Sequence, residues 1–254
     1  MIQGNDIRKL VVEVSAARGT GHVGCALSVC EAVAAIMNVK GPMDRFILSK
    51  GHAALAYYAA AHLQGWITRD KLFTYCQDGT HLGVHPEQGN EPTVLIGTGS
   101  LGMGLSIAAG MALELKEAKY PPRVFCLCSD AELDEGSTWE AVMFAGHHGL
   151  SNLALVIDHN NSQALGRKED ILTIDDIGGL LTEKLDSFGW WSTELDGHDQ
   201  PLLEKVLDVP RSGPFALVAT TTIGKGIPDM EGDYRSHYLP LTPAQILAFK
   251  EANP

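Results

Sequence analysis

Three consecutive stretches decide the fold: RVFCLCSD (123–130), STWEAVMFAGHH (137–148) and NLALVIDHN (152–160). The first and third are short, continuous apolar runs, and the second has the length and spacing of a helix. Two apolar strands joined through a helix are parallel neighbours in a sheet covered on both faces. The same logic extends outward. FGWWSTELDG (188–197) and PFALVATTTIG (214–224) read as further strands with the helix LLEKVLDV (202–209) between them. Upstream, RFILSKGHAALAYYAAAHLQG (45–65) reads as a strand, a tight turn at Lys50-Gly51 and a helix of small residues, and VLIGTGSLGMG (94–104) leads into a helix over 105–117. The N-terminal region is expected to carry one helix from about Asp6 and a second from Leu27 to Met37, separated by a glycine-rich turn, RGTGHVG (18–24). The expectation is one doubly wound, mostly parallel α/β sheet with helices on both faces, spanning 1–254 with a C-terminal tail from 227. Ligands of such sheets sit beyond the carboxyl ends of the strands.

Composition narrows the function. With 45% apolar and 20% charged residues the chain is far from the disordered regime. Nineteen basic against 31 acidic residues give a net charge of −12, which repels nucleic acid and anionic membranes. An anionic ligand therefore needs donors placed locally. Five cysteines without ligand-like spacing read as free thiols of a reducing cytosol, with Cys126 and Cys128 on one face of a buried strand. No run reaches the ~18 apolar residues that cross a bilayer, and no signal-like segment opens the chain. A soluble cytoplasmic protein is the expectation.

The chemistry concentrates at two strand ends. Asp130 closes one strand and Asn160 the next, so both should stand side by side at the carboxyl edge of the sheet. A carboxylate and an amide oxygen, with the backbone carbonyl of Ser162 as a third donor, suit a hard cation such as Mg²⁺. The alternative is that Asp130 caps a helix and Asn160 stabilises a turn, as such residues commonly do. Gly99-Ser100-Leu101-Gly102 opens a helix, a form that brings backbone N–H groups close to phosphate oxygens.

These segments together resemble the N-terminal, diphosphate-binding part of transketolases, and especially of split transketolases that divide the enzyme between two chains. The resemblance runs from about Asp6 to Pro240 and is carried, in family order, by TGHVG (20–24), LSKGH (48–52), HPE (85–87), TGSLGMG (98–104), SDAELDEGSTWEA (129–141), DHNN (158–161), DGHD (196–199) and IGKG (223–226). It implies thiamine diphosphate with Mg²⁺, or Ca²⁺ or Mn²⁺ in its place. Asp130, Asn160 and Ser162 match the family's metal ligands. His52, Gly99, Ser100, Leu101, Asp130, Ala131, Glu132, Asn160 and His237 match its cofactor contacts. His22, His85 and His237 match the histidines that face the sugar. Glu135 and Glu140 match glutamates of an acidic chain between active sites, although Glu135 could equally serve the dipole of the following helix.

The resemblance also implies a partner. In transketolases the glutamate that activates the cofactor belongs to a pyrimidine-binding domain, which is expected here on a separate chain, the C-terminal subunit, in an α₂β₂ heterotetramer. The implied reaction is transfer of a two-carbon ketol unit from a ketose-type donor to an aldehyde acceptor. Rival readings are a subunit of a 2-oxoacid dehydrogenase, a deoxyxylulose-phosphate synthase-like chain, or a scaffold that has lost catalysis. The HPE loop and IGKG followed by Ser236-His237 favour transketolase. Four positions depart from the family pattern: Ser129 and Ala131 replace glycines, Val23 a proline and Met103 a glutamine. A methyl at Ala131 costs on the order of 1 kcal/mol or more if φ is positive there. The departures suggest a specialised enzyme with an unusual acceptor.

Overall fold

The computed structural model describes residues 1–88, 94–172 and 180–253. The sequence from Thr80 to Asn90 reads as a polar, histidine-bearing loop, and its last two residues lie outside the described ones. Along the chain come α1 (Gly4–Arg18), α2 (Val23–Ser28), α3 (Cys30–Val39), β1 (Arg45–Leu48), α4 (Ala54–Leu63), α5 (Arg69–Leu72) and α6 (Gly104–Leu115). They are followed by β2 (Val124–Ser129), α7 (Gly136–His147), β3 (Leu153–His159), a small hairpin of β4 (Ser162–Gln163) and β5 (Gly166–Arg167), α8 (Leu181–Ser187), β6 (Trp191–Asp196), α9 (Gln200–Leu207), β7 (Phe215–Thr220) and α10 (Pro243–Ala252). The main sheet has the order β1-β2-β3-β7-β6, and every pairing is parallel.

Strand alternation builds two cores. Phe125, Leu127 and Val156 face the layer of α1, α3, α4 and α9, while Val124, Cys126, Cys128, Leu155 and Ile157 face that of α6, α7 and α8. Apolar side chains point both ways because both faces are covered, which is why these runs are apolar almost to their carboxyl ends. All five cysteines are free thiols. Among the described residues no helix is long and apolar enough to cross a membrane.

The N-terminal region differs from the expected pair of helices. The second helix starts at Val23, not Leu27, and is divided at Val29, whose φ of −107° and ψ of 8° interrupt it. This shortens the glycine-rich turn and makes His22 the residue before a helix. A buried cluster holds the same region to the C-terminal half. The Arg8 guanidinium donates to both oxygens of Glu31 at 2.7 and 2.8 Å, and His198 Nδ1 donates to Glu31 Oε2 at 3.1 Å while its Nε2 accepts from Thr222 N. Burial pushes the Glu31 carboxyl up, but His198 and Arg8 more than offset it and hold the carboxyl below its ordinary value.

Residues 227 onward fold back on the body instead of trailing away. Tyr234–His237 form one 3₁₀ turn beside α2, and α10 starts with a capping box at Thr242 and Pro243 in its first turn. Phe249 of α10 is buried in the core shared with α1. Phe249→Ala should therefore cost about 3 kcal/mol through the cavity it leaves. The check is a lower urea midpoint together with faster proteolytic cleavage in the exposed link over 239–242.

Candidate active site

Strand register brings the functional loops together. Ser129 pairs with Asp158 and His159 with Thr220, so the segments that follow β2, β3 and β7 leave the sheet at one level. A cavity of about 300 Å³ opens there, lined by His22, His52, His85 and His237, by Gly99 and Leu101, by Ser129 and Ala131, and by Asn160 and Ser162. Four histidines separated by 215 residues of sequence thus share one wall. The ring of His22 lies 4.9 Å from that of His237, 5.9 Å from His52 and 5.8 Å from His85, and His52 lies 5.0 Å from His237.

His22 reaches this place through unfavourable backbone. Its φ of 61° is left-handed, a conformation that costs a residue with a side chain roughly 1–2 kcal/mol. Such strain persists where the surroundings impose it, commonly at functional sites. All four imidazoles are held below their ordinary pKa. For His22 and His237 burial acts first and neighbouring histidines second, and His237 falls to about 3. For His52 burial acts with Lys50 and the other rings, and for His85 burial alone. The wall is therefore neutral at pH 7.

A cysteine sets one tautomer. Cys25 Sγ lies 3.0 Å from His237 Nδ1, and burial pushes the thiol up to about 12. With the thiol protonated and the imidazole neutral, the S–H donates to Nδ1 and the ring proton resides on Nε2.

Asn160 and Ser162 line the same cavity, and Asp130 sits in its wall between the lining residues Ser129 and Ala131. Asp130 is completely buried, with Ala131 N donating to Oδ1 at 2.9 Å and Asn161 N to Oδ2 at 2.8 Å. Burial pushes its carboxyl up to about 6, against the pull of Lys168, His159 and Lys50. Asn160 Nδ2 donates to Asp158 Oδ2 at 2.9 Å, which fixes the amide so that its Oδ1 turns away from Asp158, where it also accepts from Ser162 N at 3.1 Å. Ala131 lies in a 3₁₀ turn and is not among the positive-φ residues, so its methyl is unstrained. Gly99 (φ 146°) and Gly102 (φ 76°) carry the opposing loop.

Several predicted residues lie elsewhere. Glu132 is fully buried but turned into the body. Its Oε1 accepts from Ser49 Oγ and from Gly102 N at 3.0 Å, and its Oε2 accepts from Ser129 N at 2.9 Å. With its oxygens used by three loops, it positions the site and does not line it. Ser100 is exposed outside the lining, and Glu135 and Glu140 are exposed around the start of α7. Sequence reasoning missed Asp158, Lys50 and Cys25. Asp158 accepts from Lys50 Nζ, from Ser28 Oγ at 2.9 Å, from Asn160 and from Thr221 Oγ1. Its signal was an acidic residue inside an apolar strand two positions before Asn160.

Comparison with known proteins bears on the family and the fold. The family description "Transketolase, thiamine diphosphate binding domain" matches residues 2–253. The chain belongs to the transketolase family. It is the N-terminal, thiamine diphosphate-binding part of that family's enzymes, which are transferases. Over 253 residues it is 36% identical to the 6-deoxy-6-sulfo-D-fructose transketolase subunit SqwG of Clostridium sp. (strain MSTE9), covering 94% of this chain and 90% of that one. Over 250 residues it is 32% identical to one subunit of the apulose-4-phosphate transketolase of Phocaeicola vulgatus, covering 93% and 87%. The structure of transketolase from Campylobacter jejuni superposes with a TM-score of 0.89 at 29% identity, over 98% of this chain and 42% of that one. The chain thus spans about two fifths of that solved transketolase and nearly all of the proteins named as subunits.

The neutral histidine wall has a thermodynamic signature. A histidine whose folded pKa is depressed favours the folded state above pH 6.5, and that contribution is lost as pH falls below 6.5, because the unfolded chain binds the extra proton. Stability should fall on acidification by up to about 1.4 kcal/mol per pH unit for each such group. For His237 the fall should continue to about pH 3. Urea midpoints measured across this range should show a shallower slope for His237→Gln than for the native chain.

Proposed function

We propose that this chain binds the diphosphate end of thiamine diphosphate through a divalent cation, and with a C-terminal partner chain transfers a two-carbon ketol unit between sugar-type substrates. The observation that carries the reading is that Asn160, Ser162 and the four histidines converge on one cavity, with Asp130 buried in its wall between the lining residues Ser129 and Ala131. The donor set fits the group. A buried carboxylate raised by desolvation gains from a bound divalent cation, and carboxylate, amide and carbonyl oxygens suit Mg²⁺, with Ca²⁺ or Mn²⁺ as substitutes. Asp130, the Asn160 amide oxygen and the Ser162 carbonyl would hold that cation, while His52, the Gly99–Leu101 backbone, Ala131 and His237 would meet the cofactor.

When bound, thiamine diphosphate supplies the carbon nucleophile that carries the two-carbon unit. The chain's residues do the rest. His22, His85 and His237, neutral at pH 7, accept or donate hydrogen bonds to sugar hydroxyls and carbonyls, and His237 offers its Nε2 proton. The cofactor-activating glutamate belongs to the partner, and an α₂β₂ assembly places each site between two chains. Glu135 and Glu140 would meet another protomer there, and their exposure, with that of Met103 and Met143, supports this. The reading sets the protein in the cytoplasm. Similarity to proteins named for a sulfonated ketose and for apulose 4-phosphate, also a ketose, supports a specialised substrate on the donor side.

The test is reconstitution. Mixed with the pyrimidine-domain partner, thiamine diphosphate and Mg²⁺, the chain should transfer ketol units, and neither chain should do so alone. Asp130→Ala should abolish cofactor binding by calorimetry and turnover with it. Equal cofactor binding by the two forms would refute the metal assignment, and pyruvate decarboxylation in place of ketol transfer would refute the reaction.

A further inference from the structure

The cavity holds a second group of donors whose chemistry is opposite to that of Asp130, Asn160 and Ser162. Cys25, His52 and His237 each offer a ligand atom, and these atoms lie within 4.8 Å of one another. All three are buried and all three line the cavity, so an ion has both a cage and an entry path. A thiolate with two imidazoles excludes Mg²⁺, which demands oxygen, and selects a borderline or soft cation. Zn²⁺ is the natural occupant because it imposes no geometric preference of its own and takes Cys and His ligands tetrahedrally.

We infer that Cys25, His52 and His237 form a Zn²⁺ site inside the pocket. The existing Cys25-to-His237 hydrogen bond already places one sulfur and one nitrogen on a common line of approach. Zinc takes the place of the shared proton. The Cys25 S–H bond breaks, its proton passes to solvent, and the sulfur and the Nδ1 lone pair bind the metal with no change in oxidation state. A tetrahedral site with Zn–S of ~2.3 Å and Zn–N of ~2.0 Å separates those ligands by about 3.5 Å. The observed 3.0 Å therefore has to open by about half an ångström. His52 closes the triangle from the turn after β1. His22 offers the fourth ligand, since its buried Nδ1 has no hydrogen-bond partner and its ring lies 4.9 Å from that of His237.

Two charges bear on the site. Lys50 lines the same wall and would repel a cation, but its ammonium is paired with Asp158. The buried Asp130, close enough to act electrostatically on Cys25, adds attraction. The consequence follows from the ligands: zinc bound here occupies His22, His52 and His237 together, so metal and sugar exclude one another. That consequence rests on the proposed function, whereas the site itself does not.

The experiment titrates the full-length, metal-free chain with Co²⁺ as a spectroscopic stand-in for Zn²⁺. The expected result is one cobalt per chain with a thiolate-to-cobalt charge-transfer band and the intense visible bands of tetrahedral coordination, both erased by Zn²⁺. Cys25→Ser and Cys25→Ala should remove the charge-transfer band and weaken Zn²⁺ binding by more than the roughly 10–100-fold that loss of a supporting partner costs. Cys76→Ser, which alters the exposed thiol, should keep the band, and Asp130→Ala should keep it too, separating this site from the cofactor site. Circular dichroism of the variants confirms folding. Absence of a thiolate band in the native chain, or its survival in folded Cys25→Ala, overturns the inference.

Discussion

Asp158 at the carboxyl end of β3 is the point on which the site's geometry depends. Its two oxygens accept from Lys50 beyond β1, Ser28 at the end of α2, Asn160 beyond β3 and Thr221 beyond β7. Four segments are fixed by one buried carboxylate. Burial alone would pull the Lys50 ammonium down, yet Asp158 together with Cys25 and Asp130 leaves it above its ordinary value. A buried pair of this kind is weak as a source of net stability but severe when broken, because one partner then remains charged and alone. The plain role for it here is orientation: Asp158 takes both the Asn160 amide hydrogen and the Lys50 ammonium, and so determines which oxygens are left to face the cavity. Glu132 repeats the device on the other side, binding Ser49, Gly102 and Ser129.

A net charge of −12 and an anionic cofactor make an awkward combination, and the site resolves it locally. No long-range field draws a diphosphate in. On the proposed reading short-range chemistry would do so instead, through a desolvated carboxylate that favours a divalent cation and a glycine loop that exposes backbone. The histidine wall contributes no charge, because burial and mutual proximity keep the rings neutral. Neutral rings are the useful form for binding hydroxyls, since each then has one donor and one acceptor.

Much of the architecture was legible because it is written in local pattern. The runs 124–129, 153–159 and 215–220 are apolar on both faces, and the helices between them have clear period and length. Asp130 and Asn160 were readable as strand-end residues for the same reason. The break at Val29 and the return of 234–249 to the body were not, since both are decided by tertiary packing on α1 and α2. Ala131 posed a question of φ that only backbone could answer. Asp158 was hidden by its position, one acidic residue in a strand whose partners, apart from Asn160, lie 63 to 130 residues away. Glu132 was misassigned for the converse reason: its sequence neighbours are site residues, but its side chain points into the body. Cys25 looked like one more buried thiol until the fold set it against His237, 212 residues on.

The central claim is that the cavity above β2 and β3 holds the cation and diphosphate of thiamine diphosphate. Crystals grown with thiamine diphosphate and Mn²⁺ test it most directly through the anomalous signal of manganese. A single strong peak within bonding distance of Asp130, the Asn160 amide oxygen and the Ser162 carbonyl, with diphosphate density against Gly99–Leu101, is the predicted result. Cofactor density at any other place, or a manganese peak away from Asp130, would contradict it.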